Sequence, residues 1–107
     1  MTKRGDIVSV ALQGDYGKPR PAVVVQTDLL ADALSVVICP ITSFLAEADF
    51  RVTLAPSGTN GLLHESQVMV DKVTVAPRSK IGDTQGSVES WQLREIERAL
   101  LFVLGIA

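Results

Sequence analysis

The sequence predicts a mainly β protein: a small, curved, barrel-like sheet of about five to seven mostly antiparallel strands with one C-terminal helix packed on it. Short β-branched runs recur along most of the chain, and clusters of Gly, Pro, Asn and Asp separate them. Helical periodicity is confined to the C-terminal end. The 107 residues suit one domain, residues 1–107, with no internal repeat, linker or low-complexity segment.

Each element follows from its residues. Ile7, Val8, Val10 and Leu12 sit among Asp6, Ser9 and Gln13, a partly alternating stretch that gives a first strand. Residues 14–19 hold turn formers of several kinds and make a loop. Residues 21–26 are a continuous apolar run, and the lack of alternation predicts a second strand covered on both faces. Residues 28–34 are compatible with a helical turn or a loose connection. A third buried strand spans residues 35–41, with Pro40 near its end, where a missing N–H matters least. Residues 44–48 are compatible with one helical turn.

Phe50, Val52 and Leu54 alternate with Arg51 and Thr53 as a half-buried strand. Residues 56–61 are the strongest turn cluster in the chain. Two β-rich pieces, 67–70 and 72–76, flank Asp71 at a bulge or bend. Residues 77–86, polar and Gly-containing, read as a loop. Leu93, Ile96, Leu100, Val103 and Leu104 then recur at three- and four-residue steps opposite Gln92, Arg94, Glu95, Glu97 and Arg98. That pattern predicts a terminal helix, capped by Ser87 or Ser90 and ended by Gly105. Trp91 reads as packing against the sheet or sitting at a dimer contact.

Composition closes several functional classes. Cys39 and His64 are the only cysteine and histidine, which excludes a disulfide framework, a CxxC site and a conventional structural zinc site. Cys39, in an apolar strand, reads as an inert buried thiol. No cofactor or metal is expected. The N-terminal segment lacks the apolar stretch of a signal peptide, and no apolar run approaches the roughly 20 residues that span a bilayer. A cytoplasmic protein without a membrane partner is therefore expected. A net charge of −2, from 10 Lys plus Arg against 12 Asp plus Glu, argues against nucleic acid held by bulk electrostatics. It does not argue against a local groove. Lys3, Arg4, Lys18, Arg20, Lys72, Arg78 and Lys80 fall in segments near one rim of the expected barrel.

No Ser-His-Asp or Cys-His arrangement can be assembled from a single histidine, and no glycine-rich phosphate loop joins a strand to a helix. His64, between Leu63 and Glu65 after a turn cluster, reads as a surface residue. The polar residues that stand out lie at strand ends: Lys18 and Arg20, Thr42 and Ser43, Gln67 and Asp71. Strand ends of a small barrel converge on one rim, so these can share a site. Each also has a plainer reading. Arg20 suits a solvated surface, Thr42 and Ser43 a turn cap, and Asp71 the unusual backbone of a bulge.

Arg4-Gly5-Asp6-Ile7-Val8, Gly17-Lys18-Pro19-Arg20-Pro21-Ala22-Val23-Val24-Val25, Cys39-Pro40-Ile41-Thr42-Ser43, Ser66-Gln67-Val68 and Leu104-Gly105, in that order, resemble the MazF/PemK toxins of bacterial toxin–antitoxin systems. The resemblance covers essentially the whole chain. It implies an SH3-like barrel of the CcdB/PemK type, a homodimer, and a cognate antitoxin whose C-terminal tail blocks the RNA groove. It also implies metal-independent, ribosome-independent cleavage of single-stranded RNA at short sequences, leaving 2′,3′-cyclic phosphate and 5′-OH ends.

By the same resemblance Arg20 and Thr42 match the catalytic pair. If the ribose 2′-OH attacks the adjacent phosphate, a cation must meet the developing phosphorane charge and a donor must fix a phosphate oxygen. Arg20 suits the first task and Thr42 the second. Asp71 falls where some relatives carry an acidic residue proposed as general base. Ser43 is implied at the phosphate and Gln67 at a base edge. Lys18 and Tyr16 are implied in the RNA groove, with Tyr16 stacking on a base. The chain also departs from the pattern: its first loop lacks the His of some relatives, and Met69 stands where others carry a basic residue. Arg20 is thereby left as acid or stabiliser. A non-enzymatic alternative is a gyrase poison of the CcdB type, whose C-terminal Trp-Gly-Ile is partly echoed in Leu104-Gly105-Ile106. A degenerate member that keeps the fold without the activity is a third reading.

Overall fold

The computed structural model describes residues 2–12, 18–48 and 50–107. Among these, strands β1 (Asp6–Val10), β2 (Arg20–Val24), β3 (Ser35–Thr42), β4 (Arg51–Leu54), β5 (Ser66–Met69), β6 (Thr74–Pro77) and β7 (Ile81–Ser87) precede helix α1 (Ser90–Val103). Every pairing is antiparallel, in the order β4-β5-β3-β2-β1-β7, with β6 also paired to β3. The expected mainly β architecture with a closing helix is what the chain forms. No helix among the described residues is long and apolar enough to cross a membrane.

β3 organises the sheet. One edge of it pairs with β2, while the other pairs with β6 over residues 35–38 and with β5 at Ile41 and Thr42. The bend expected at Asp71 is the 3-10 turn Val70–Lys72, which carries the chain from β5 to β6 along that edge. Pro40 lies inside β3 rather than near its end. It is tolerated there because neither β5 nor β6 pairs opposite Cys39 and Pro40.

The unalternating apolar runs are covered on both faces, as expected. Ile7, Val23, Val25, Cys39 and Ile41 join the core beneath α1, where Ile96 and Ala99 meet them. Their neighbours Val8, Val10, Ala22, Val24, Val36 and Ile38 form a second cluster on the opposite face, with Ala76. Fully burying each such side chain contributes about 1.5–3 kcal/mol, so β1 to β3 form the rigid frame of the molecule.

Glu89, rather than Ser87 or Ser90, caps α1. Its side chain accepts from the backbone N–H of Gln92, while Gln92 Oε1 accepts from the Glu89 N–H at 2.7 Å. This reciprocal pair buries Gln92, which periodicity alone assigns to the outer face. Leu104, assigned to the inner face, lies past the last turn and is exposed. Trp91 is about half exposed rather than packed away. Gly105, at φ +73°, ends the helix as expected.

Two further segments differ from expectation. Residues 81–87 are a strand, not a loop, because β7 is an edge strand on β1 whose exposed positions need no apolar alternation. Residues 44–48 make no helical turn, because side chains take the N–H groups of Phe44 and Ala46: Thr42 Oγ1 accepts from the first at 3.1 Å and Gln67 Oε1 from the second at 2.8 Å. The segment at 28–34 contains a 3-10 turn, Asp28–Leu30, capped by Thr27 Oγ1.

Candidate active site

The register of the central strands assembles the rim. β2 and β3 pair as Val24–Ile38, Val23–Cys39 and Ala22–Pro40. Beyond the last of these pairs, Arg20 opens β2 and Thr42 closes β3, and both line one cleft. On its other side Arg20 pairs with Val10 of β1, and Thr42 pairs with Gln67 of β5. Val10, Arg20 and Thr42 thus continue the face of the second apolar cluster to the end of the sheet. There a cleft of about 780 Å³ opens, lined by Arg20, Thr42, Ser43, Phe44, Leu63, His64 and Lys72 among others. That size suits a few nucleotide groups rather than a folded partner.

Turn chemistry builds the facing wall. Asn60 is buried at the hub of residues 55–62: Oδ1 accepts from the N–H groups of Ser57 and Leu62, each at 3.0 Å, and Nδ2 donates to the Ala55 carbonyl at 2.8 Å. Gly61 has φ +68°, and a Cβ there would come within 2.5 Å of the Gln85 carbonyl oxygen on β7. The turn is thereby pressed against β7. Ser66 Oγ then donates to the His64 carbonyl at 2.8 Å, fixing the backbone that presents the imidazole.

Arg20 is exposed at the start of β2. The ion pairs among the described residues, Arg4–Glu97 and Arg51–Asp71, leave both Arg20 and Lys72 unengaged. Thr42 Oγ1 accepts the Phe44 N–H, which leaves its O–H proton to donate into the cleft. Ser43 and Phe44 are held beside it by the chain reversal after β3. Arg20, Thr42 and Ser43 are therefore brought together.

Other expected site residues stand elsewhere. Gln67 is only 7% exposed, and its amide clamps one residue: Oε1 accepts from the Ala46 N–H and Nε2 donates to the Ala46 carbonyl, both at 2.8 Å. It holds the segment after β3 instead of presenting a free edge to a base. Asp71 is not among the residues lining the cleft, although Met69 and Lys72 on either side of it are. Its Oδ1 accepts from Arg51 Nε at 3.2 Å. Burial, with the Asp71 charge as the smaller cause, pushes the Cys39 thiol up to about 12, which makes that thiol inert at neutral pH. Lys18 is exposed ahead of β2, outside the cleft lining. Tyr16 lies outside the described residues.

The cationic rim is smaller than the sequence suggests. Arg4 binds Glu97 of α1 at 2.7 Å and the Val25 carbonyl at 3.2 Å, while Arg78 Nε donates to the Ala33 carbonyl at 2.6 Å. Both are structural. Of the seven basic residues, Arg20 and Lys72 line the cleft. Sequence reasoning left out His64, Lys72 and Phe44 as site residues. Lys72 had a signal, its place three residues after a cleft-wall strand, whereas His64 depends on how Asn60 and Gly61 fold the turn.

Comparison with known proteins bears on the whole chain. The sequence model of the PemK-like, MazF-like toxin of type II toxin–antitoxin system matches residues 3–104. A probable endoribonuclease MazF from Mycolicibacterium smegmatis (strain ATCC 700084 / mc(2)155) is 38% identical over 107 residues, 98% of either chain. An endoribonuclease solved in complex with its cognate antitoxin, from Mycobacterial species, has a TM-score of 0.86 at 21% identity over 100% of this chain and 98% of that one. A MazE–MazF structure from Deinococcus radiodurans gives 0.82 at 24% identity over 99% and 97%. At such identities the two structures speak to the fold.

Proposed function

Since the chain belongs to the PemK-like, MazF-like toxins of type II toxin–antitoxin systems, we propose that it is the toxin of such a pair, an endoribonuclease that cuts single-stranded RNA in this cleft. The observation that carries the reading is that Arg20, at the start of β2, and Thr42, at the end of β3, line one cleft with no carboxylate among its described lining residues. Such a cleft accepts a phosphodiester. In the reaction proposed, the ribose 2′-oxygen bonds to phosphorus and the bond to the 5′-oxygen breaks, leaving a 2′,3′-cyclic phosphate and a 5′-OH. Arg20 places a permanent, two-pronged cation against the charge that grows on the phosphorane oxygens. Thr42 donates to one of those oxygens from the paired end of β3, and Ser43 stands next to it. With this fixed cation, the reaction requires no metal ion.

Phe44 is 86% exposed beside the cleft and offers a face to an unstacked base. Lys18 adds charge on the approach to β2. Asp71 and Arg51 together brace the turn that carries Lys72 into the cleft. The chain acts in the cytoplasm as a homodimer, for which exposed Leu101, Phe102 and Ile106 at the end of α1 supply apolar surface. The C-terminal tail of a cognate antitoxin covers the groove. Family membership and this cleft leave the gyrase-poison reading without an observation of its own.

The test is a long unstructured RNA incubated with purified protein in EDTA, with end-group analysis of the fragments. Cleavage with 5′-OH ends is expected, and Arg20→Ala should lower the rate by about 10²–10³-fold. Because Arg20 is exposed, its unfolding midpoint should be unchanged. Intact RNA, or equal cleavage by Arg20→Ala, would refute the reading; intact RNA from a well-folded wild type is the outcome expected of a degenerate member.

A further inference from the structure

We propose that His64 is the general base of the reaction, taking the proton from the attacking 2′-hydroxyl. The inference rests on the nuclease reading above and adds the proton acceptor that Arg20 and Thr42 do not provide. Among the described residues lining the cleft, the charged side chains are Arg20 and Lys72, and the remaining polar ones are hydroxyls and the Gln85 amide. All of these donate hydrogen bonds, and no Asp or Glu is among the described lining residues. The described lining is thus rich in donors, and its one group suited to hold an extra proton is the imidazole. Asp71 is taken up by Arg51 outside the lining.

His64 is well placed for the task. Its backbone is held by the Ser66 hydroxyl and by the Asn60 turn, while its side chain is exposed toward the cleft. An imidazole nitrogen can accept and return a proton, a task to which the hydroxyls and cations lining the same cleft are poorly suited. Among the described residues, the charged groups that share the cleft lining with it are Arg20 from β2 and Lys72 from the 3-10 turn, and Glu65 is next to it in the chain.

The step balances. The proton on O2′ moves to the imidazole as O2′ bonds to phosphorus. The P–O5′ bond breaks, with its electron pair leaving on O5′. O5′ takes a proton from water, and the imidazolium returns its proton to the resulting hydroxide. No oxidant, reductant or further reactant is required.

Single-turnover cleavage of an unstructured RNA, followed across pH, tests the proposal on wild type, His64→Gln, His64→Gly and Arg20→Ala. The wild-type rate should rise with pH to a plateau, because a general base must lose its proton before it can act. His64→Gln should lose about 10²-fold or more at the plateau, together with that rise. Added imidazole should restore part of the rate to His64→Gly and none to Arg20→Ala, a response that a merely structural role would not give. Unfolding midpoints should match the wild type, since the side chain is exposed. Cleavage by wild type that is lost in Arg20→Ala yet unchanged in His64→Gln would overturn this inference alone. A pH rise that vanishes in Asp71→Asn and persists in His64→Gln would move the role to Asp71. Intact RNA with wild type would overturn the nuclease reading and this inference with it.

Discussion

Replacing Gln67 by Ala separates two roles for that residue, because the structure makes it a clamp and the family resemblance makes it a reader of bases. The side chain is 7% exposed and both its polar atoms engage Ala46 at 2.8 Å. Each hydrogen bond contributes about 0.5–1.5 kcal/mol net. Ala46 itself is exposed, so water would satisfy its freed N–H and carbonyl, and the lower half of that range applies. Loss of the buried methylene adds about 0.8 kcal/mol, giving roughly 2–3 kcal/mol in all. In a chain of this size that lowers the melting temperature by about 10–15 °C. Urea unfolding followed through Trp91, the only tryptophan, measures the change. Because the clamp holds the segment that presents Ser43 and Phe44, cleavage should slow without a change in the sequences cut. An unchanged unfolding midpoint with cleavage redirected to other sequences would refute the clamp and restore Gln67 as a base contact.

Other consequences are as direct. The buried Cys39 keeps its proton to about pH 12, while an unfolded chain releases it near 9.0. Above pH 9 the unfolded state therefore binds fewer protons, and the native state should lose about 1 kcal/mol of stability per pH unit up to about 12. Denaturant unfolding at pH 8 and pH 10, compared with Cys39→Ala, isolates this slope from other titrating groups, and parallel slopes would contradict it. Gly86→Ala would push a Cβ to within 2.3 Å of the Thr59 carbonyl oxygen, whereas at Gly58 nothing lies within 4 Å. The first change should destabilise by about 1–3 kcal/mol and the second hardly at all, as thermal melts will report.

Much of the frame was legible in the sequence because local pattern and tertiary environment agree there. Continuous apolar runs at residues 21–26 and 35–41 read as strands buried twice over, and the two clusters on either face of β1 to β3 bear that out. β7 was hidden because an exposed edge strand can be written in Gly, Asp, Thr and Gln, and its pairing partner β1 lies far off in the chain. The absent helical turn at 44–48 has a similar cause: Gln67, from another strand, satisfies Ala46 before the local backbone can. Arg20 and Thr42 were marked by strand ends and by motif. The fates of Arg4 and Arg78 were not, since each is engaged by residues remote in sequence, and a count of basic residues cannot tell a structural guanidinium from one left for a ligand. His64 was read as an ordinary surface residue, and it is exposed; what one-dimensional pattern lacked was the turn geometry that makes its patch of surface a wall of the cleft.

The double burial of β2 and β3 has a bearing on how this protein is controlled. Arg20 opens and Thr42 closes strands whose apolar residues are packed on both faces, and such packing resists distortion. An inhibitor that worked by distorting the catalytic pair would have to disrupt two cores together. A partner is left with occupying the cleft, so its inhibition should be competitive with RNA: more substrate should relieve it, and the turnover number at saturation should be preserved.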